Sequence, residues 1–428
     1  MLSQELKNRV EKVDVLIVGA GPAGMAAAIA AKEAGVDNLL VLEREANRGG
    51  ILRQCIHNGF GLHRFKEELT GPEYAQRDID KVKELGIEVR CGTTVLSIDE
   101  NRFVTAVSKE KGVQLFEAGA LILAMGCRER PRGALATPGT RCAGIYSAGT
   151  AQKFVNLEGY MPGKRVVILG SGDIGLIMAR RMTLQGAKVL ACVELMPYSS
   201  GLNRNIVQCL NDYDIPLYLS HTVIDIQGKE RLTGVTVAEV DAKRQPIPGT
   251  EIHFDCDTLL LSVGLIPENE LSVGAGVEIS PLTSGATVDD QLQTSVPGIF
   301  ACGNVLHVHD LVDHVSNESF KAGHAAAAYA RDQKNTAPVA QVKDGDGVRG
   351  VVPQRVHLSG EASQSVDLMF RPSGVFKNAT VVVRSGDKEI ARKKSPIFTP
   401  GEMVVVTLKP EVVAALDGSD ITVTMERN

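Results

Sequence analysis

The 428-residue chain has no tryptophan, no paired cysteine motif, no basic stripe and no long apolar run. The first absence constrains function little, but the other three each exclude a class. Eight cysteines stand singly at 55, 91, 127, 142, 192, 209, 256 and 302, without C-x-x-C or metal-ligand spacing. A zinc ribbon, a locally bound iron–sulfur cluster and a disulfide framework are therefore set aside, and most of the thiols read as small apolar residues of a reducing compartment. A formal net charge of −5 gives no nucleic-acid signal. No run approaches a membrane span, and the polar opening MLSQELKNRVEK lacks the apolar centre of a signal peptide. A soluble cytoplasmic protein of two or three domains is expected.

What is present centres on Val13 to Glu43. The short β-branched run Val15 to Val18 reads as a buried parallel strand and stops at Gly19. Gly19, Gly21 and Gly24 then spell G-x-G-x-x-G, with Pro22 and Ala23 between them, and small residues follow where a helix must pack close to the sheet. A second strand, Leu39 to Leu42, ends in Glu43. Gly19 allows the turn, Gly21 lets a pyrophosphate approach the backbone, and Gly24 lets helix and strand touch. The helix N-terminus faces the phosphate charge and Glu43 accepts from a ribose hydroxyl.

The pattern recurs. Strand Val166 to Leu169, then Gly170, Gly172 and Gly175 with Asp173 and Ile174 between, lead through a helix to a strand ending in Glu194. First glycine to acid spans 24 positions in both copies, so two dinucleotide-binding units are expected. Each copy continues with short strands, a hairpin and a return strand ending in glycine: Ala120 to Ala124 before Gly126, and Thr258 to Val263 before Gly264. Thr294 to Asn304 carries a further short strand, Ile299 to Ala301, and a helix follows over 316–331. Both fit back into the first domain, which leaves the second unit as an insertion. Asp344 to Gly347 and Gly350 read as a linker, and period-two runs at 354–358, 365–370, 379–384, 389–393, 402–408 and 420–425 read as a small β sandwich. The fold class is thus α/β: two Rossmann-like dinucleotide-binding domains plus a C-terminal all-β sandwich-like domain. The domain limits are 1–150 and 271–335 for the first, 151–270 for the second and 350–428 for the third.

With these motifs in order, the first 330 or so residues resemble the pyridine nucleotide-disulfide oxidoreductase superfamily, flavoproteins with two dinucleotide-binding domains. The resemblance implies FAD at Gly19, Gly21, Gly24 and Glu43, with Pro22, Ala23, Arg44, Gly50, Ala124, Gly126, Gly303 and Asn304 contributing. It implies a nicotinamide nucleotide at Gly170, Gly172, Asp173, Ile174, Gly175, Glu194 and Gly264. It also implies hydride transfer between NAD(P)H and the flavin. Three departures stand out: Asn304 replaces the usual aspartate, the C-terminal portion is unlike the usual dimerisation domain, and the redox disulfide is missing. The two cysteine positions after Gly49-Gly50 fall on Leu52 and His57. The segment from Gly49 to Arg77 is similar to the disulfide-lacking oxidoreductase that accompanies glycerol-3-phosphate dehydrogenase-like proteins. Electrons would then pass to a partner dehydrogenase subunit or a small acceptor, with self-association as an alternative use of the β domain.

Glu194 would repel a 2′-phosphate, which favours NADH over NADPH, although Arg204 could reach one. Cys55 lies where single-cysteine relatives carry a redox thiol, and a helix N-terminus with Arg53 and His57 would lower its pKa. This gives a second reading, NADH-dependent peroxide or disulfide reduction through Cys55. A third is a non-catalytic nucleotide-binding subunit. His57 and His63 are candidate proton donors. His307, His309, Asp310, Asp313 and His314 read as polar lining beside the flavin rather than a metal site. Arg128 to Arg132 read as a solvated turn.

Overall fold

The computed structural model describes residues 10–360 and 364–427. The start of the polar opening, 1–9, lies outside the described residues. Two compact units result: residues 128–266, and the remainder of the chain on either side of it. None of the helices among the described residues is long and apolar enough to cross a membrane.

The larger unit is built on a seven-stranded sheet. Val10–Val18 lies at its centre, parallel to Leu39–Leu42 on one side and Gly112–Leu123 on the other, and Ile299–Ala301 pairs with the latter at Leu121 to Leu123. The expected return of the late strand to the first domain is therefore found. Leu16, Ile17, Leu121 and Ile122 are fully buried, as central parallel strands covered on both faces require. Helix Pro22–Glu33 packs against the long helix Val312–Ala330 through their small residues; a Cβ on Gly323 would stand 2.3 Å from the Ala27 carbonyl oxygen. That helix begins four residues before the expected start.

One expected break is absent. The hairpin strand at 113–116 and the buried strand at 120–124 are a single strand, Gly112–Leu123. Gly119 looks like an interruption in sequence, but it is there because the neighbouring strand comes close: a Cβ would lie 2.7 Å from the Asp14 carbonyl oxygen.

The inserted unit repeats the plan with five parallel strands, in the order Ile145–Ser147, Thr258–Leu261, Arg165–Leu169, Lys188–Glu194 and Leu217–Leu219. Its hairpin departs from the first copy. His221–Gly228, Leu232–Glu239 and Ile252–Asp255 form a separate antiparallel sheet.

The C-terminal domain starts earlier than expected. The apparent linker at 344–347 is a turn joining strands Val339–Asp344 and Val348–Val352, with Gly347 at φ 77°. Among the described residues, eight strands form a five-stranded and a three-stranded sheet around Leu368, Phe370, Val381, Leu408 and Ile421. The expected two-sheet arrangement holds, with Val339–Asp344 parallel to Ile421–Arg427.

This domain is fastened to the first. Asp310 accepts from the Arg371 guanidinium and from the Met403 N–H, and Lys321 pairs with Asp367 at 3.1 Å. His357 Nδ1 lies 2.6 Å from Asp290 Oδ1, with Asp289 3.9 Å from Nε2. Burial lowers the His357 pKa, but Asp290 and then Asp289 outweigh it and hold it above 6.5, against a lesser opposing effect of Arg355. A raised histidine pKa contributes stability that is complete below the unfolded value and lost as pH rises through the folded one. Burial pushes the Asp289 carboxyl above the usual range, against the hydrogen bonds from the loop and the His357 ring. As pH rises above 6.5 the wild-type melting temperature should therefore fall more steeply than that of His357→Gln, whose side chain cannot gain a proton. Parallel curves would show that this contact does not titrate with folding.

Candidate functional site

The first cradle is set by what its glycines must avoid. Gly19 has φ 104° and donates its N–H to the Leu42 carbonyl at 2.8 Å; a Cβ there would stand 2.5 Å from the Ala124 carbonyl oxygen. A Cβ on Gly24 would lie 1.8 Å from the Gly19 carbonyl oxygen. Gly21 is the N-cap of the Pro22–Glu33 helix and no side chain caps it, while Pro22 removes an N–H that the helix could not satisfy. The Gly49 N–H bonds the Ala20 carbonyl, bringing Gly50 over the loop, where a Cβ would be 2.9 Å from Gly21 Cα. Gly303, at φ 71°, is required by Ala23, whose methyl would meet a Cβ at 2.7 Å. Gly126, at φ 74°, has open space where a Cβ would stand. These backbone approaches and an uncapped first turn fit a dinucleotide pyrophosphate.

Glu43 is buried at the end of its strand. Its Oε2 accepts from the Ala20 N–H at 2.7 Å and its Oε1 from the Glu45 N–H at 2.8 Å. Each oxygen keeps one lone pair, so the side chain can brace the loop and still receive a ribose hydroxyl. Arg44 beside it is exposed.

The second cradle repeats the first. Gly170, at φ 96°, donates to the Val193 carbonyl at 2.7 Å, and Gly172 is the uncapped N-cap of helix Asp173–Leu184. A Cβ on Gly175 would stand 2.7 Å from Ser262 Cβ and 3.0 Å from the Gly170 carbonyl oxygen. Glu194 Oε2 accepts from the Ser171 N–H and hydroxyl at 3.0 and 2.5 Å, and Oε1 from the Met196 N–H at 2.9 Å. That leaves less capacity for a ribose than Glu43 has. Asp173 is a loop brace: its Oδ1 accepts from the Leu202 N–H and from Asn205 Nδ2. Ile174 packs on the apolar core. What these two residues offer a phosphate is first-turn N–H groups, not side chains. Gly264 sits at φ 103° with open space beside it.

The helix N-terminus expected at Cys55 is absent. Cys55 ends the short 3₁₀ turn Gly50–Gln54 instead of opening a helix, and its thiol donates to the Ile51 carbonyl at 3.4 Å. Burial pushes its pKa up to about 12, the reverse of what a nucleophilic thiolate needs. His57 is partly exposed, its ring 5.0 Å from that of Phe60. The nearby loop is pinned by Asp313, which accepts from the Gly61 and Arg64 N–H groups, and by the Arg64–Asp78 ion pair at 2.6 Å. His63 stacks on His314 at 6.0 Å.

The polar cluster after Asn304 does not act as one lining. Asp310 belongs to the domain contact and Asp313 to the pinned loop, whereas His307 and His309 turn inward to Glu318, a buried residue the sequence reading missed. Burial raises the Glu318 carboxyl, but His309 and His307 outweigh it and hold it well below the usual range. Glu318 Oε1 also accepts the Gly303 N–H at 2.7 Å. Asn304 holds its own turn, accepting the His309 N–H at 3.1 Å and donating to Cys127 Sγ at 3.6 Å. Glu129, expected in solvent, is partly buried and accepts the Gly149 N–H at the start of helix Ala148–Lys153.

Two glycine cradles, each closed by an acid 24 residues on, are matched by comparison: residues 13–331 fit the family described as pyridine nucleotide-disulphide oxidoreductase. The chain belongs to that family. It is 27% identical over 314 residues to hydrogen cyanide synthase subunit HcnB of Pseudomonas protegens, covering 68% of this chain and 65% of that protein. It is 29% identical over 351 residues to the glutamate synthase [NADPH] small chain of Mycobacterium tuberculosis, covering 73% and 65%. The matches thus span just under two thirds of these relatives' length. Thioredoxin reductase of T. acidophilum superposes with a TM-score of 0.62 at 25% identity, over 76% of this chain and 99% of that one. The part beyond the match is the C-terminal β domain.

Proposed function

We propose that the chain oxidises NADH at the second cradle with FAD held at the first, and delivers the electrons to a partner dehydrogenase subunit. Bound FAD supplies the two-electron acceptor for a hydride; the protein's part is to hold, orient and screen the two nucleotides. The observation that carries this reading is the pair of intact cradles together with Leu52 and His57 at the disulfide positions. With no thiol pair to receive them, electrons must leave to another molecule. Relatives named as subunits of a hydrogen cyanide synthase and a glutamate synthase support a protein partner. NADH is preferred because Glu194, at the end of its strand, repels a 2′-phosphate.

Anaerobic titration tests this: NADH should bleach the flavin band at lower concentration than NADPH. Failure of both to bleach it would return the chain to a nucleotide-binding subunit without turnover. Cys55→Ser should leave the bleaching rate within about twofold of wild type, the range of a substitution that costs at most about 0.5 kcal/mol. A larger loss, or a charge-transfer band that disappears with the thiol, would restore the thiol mechanism.

A further inference from the structure

His307, His309 and Glu318 converge in the buried interior. Their side chains are 6%, 1% and 3% exposed, and the Nε2 atoms of both rings face one carboxylate, at 2.6 Å for His307 and 3.2 Å for His309. The ring planes are tilted by 58° with centroids 4.2 Å apart, so the rings do not stack, and their Nε2 atoms face the two oxygens of one carboxylate, Oε2 and Oε1. Hydrogen bonding does not use up this group. With Nε2 facing Glu318, the Nδ1 of His309 is buried without a hydrogen-bond partner. Such an orphan costs about 1–3 kcal/mol.

We propose that His307, His309 and Glu318 bind a divalent transition metal of the zinc class. Two imidazole nitrogens and one carboxylate oxygen form a donor set suited to zinc, and one such atom from each residue lies within a 4.8 Å group. Metal bonds of about 2.1 Å at a tetrahedral angle set neighbouring donors about 3.4 Å apart. The present 2.6 and 3.2 Å contacts therefore need to open by less than about 1 Å. When Nε2 of His309 takes the metal, its ring proton moves to the idle Nδ1, so a neutral imidazole ligates without losing a proton to solvent. One ligand is already oriented by an outer partner, the Gly303 N–H on Glu318, and the Asn304 amide oxygen accepts the backbone N–H of His309, which holds the turn that carries the ring. A cavity of about 90 Å³ reaches Glu318 from the side of His314, Lys321 and Asp367. Three protein ligands leave a fourth position for water. Because Glu318 also holds Gly303, the ion would lock the Gly303–Asn304 turn. The site is independent of the electron acceptor.

Metal content is measured on the full-length flavin-containing protein, purified without chelator, by mass spectrometry. The expectation is about one zinc per chain, with His309→Ala, His307→Ala and Glu318→Gln each weakening retention at least about tenfold. Flavin content and circular dichroism identify any variant that fails to fold. After chelator treatment, calorimetric titration of wild type with zinc chloride should show one binding event, and this arm decides the matter without any variant. Absence of both retained zinc and a binding event in wild type overturns the site, as does equal zinc in wild type and the folded variants.

Discussion

Gly24→Ala is expected to purify without bound flavin. The added methyl would stand 1.8 Å from the Gly19 carbonyl oxygen and 2.9 Å from its carbon, with Ile17 behind it at 3.5 Å. None of these atoms is the free end of a flexible side chain. The carbonyl is part of the turn whose N–H is tied to Leu42, and Ile17 is fully buried in the central strand. Relief requires the Pro22–Glu33 helix to lift from the sheet, which displaces the first-turn N–H groups from the phosphate position. Overpacking of this kind costs about 3 kcal/mol or more. Charged against flavin binding, that is roughly a hundredfold in affinity. Gly133→Ala is the control, because a Cβ there meets nothing within 4 Å and its φ is not positive. The measurement is the ratio of flavin absorbance to protein after gel filtration. A Gly24→Ala protein with full flavin content would show that the close approach of helix and strand does not govern the site.

The glycine loops were legible in sequence because their spacing is a direct consequence of backbone contact. Only glycine fits where a helix start crosses a strand end at Gly24 and Gly175, so the residue type reports the geometry. The strand Leu39–Leu42 was equally legible, its four residues all buried and bounded by turn residues. Legibility failed where glycine had another cause. Gly119 marks a close neighbour inside a continuous strand, and Gly345 lies beside Thr424, 2.4 Å from a would-be Cβ, in a turn of a domain that looked like a linker. It failed again for side chains whose role depends on partners distant in sequence. Cys55 looked activated beside Arg53 and His57, yet its environment is set by packing: a Cβ on Gly71 would lie 2.8 Å from Cys55 Cβ. Glu318 carries no local signal, because its role arises only when the Val312–Ala330 helix places it beneath His307 and His309. Asp173 is read as a phosphate neighbour from its position, whereas its side chain is taken up by Leu202 and Asn205, beyond a whole βα unit.

The second cradle separates nucleotide binding from flavin binding, which the first cannot do. Gly175→Ala should retain full flavin content, since the change lies wholly within residues 128–266, while NADH no longer bleaches the flavin at concentrations that saturate wild type. The methyl would stand 2.7 Å from Ser262 Cβ and 2.8 Å from Ser262 Oγ, besides 3.0 Å from the Gly170 carbonyl oxygen. Ser262 is no bystander, because its hydroxyl accepts the Gly175 N–H at 3.0 Å and anchors the return strand to the helix start. The clash therefore both pushes the helix away and breaks a hydrogen bond at the phosphate position. Two such terms sum to about 3 kcal/mol, or about a hundredfold weaker NADH. The crowding at this glycine is milder than at Gly24 and most of it comes from one side chain, which makes it reversible. Adding Ser262→Gly removes both nearest atoms, after which the Gly170 carbonyl oxygen at 3.0 Å is the nearest known contact, so the double variant should recover at least about tenfold of the lost affinity. Anaerobic NADH titration of wild type, Gly175→Ala and the double variant measures all three. Gly175→Ala bleached by NADH as readily as wild type would mean that the nucleotide enters elsewhere, and recovery without Ser262→Gly has no place in this account.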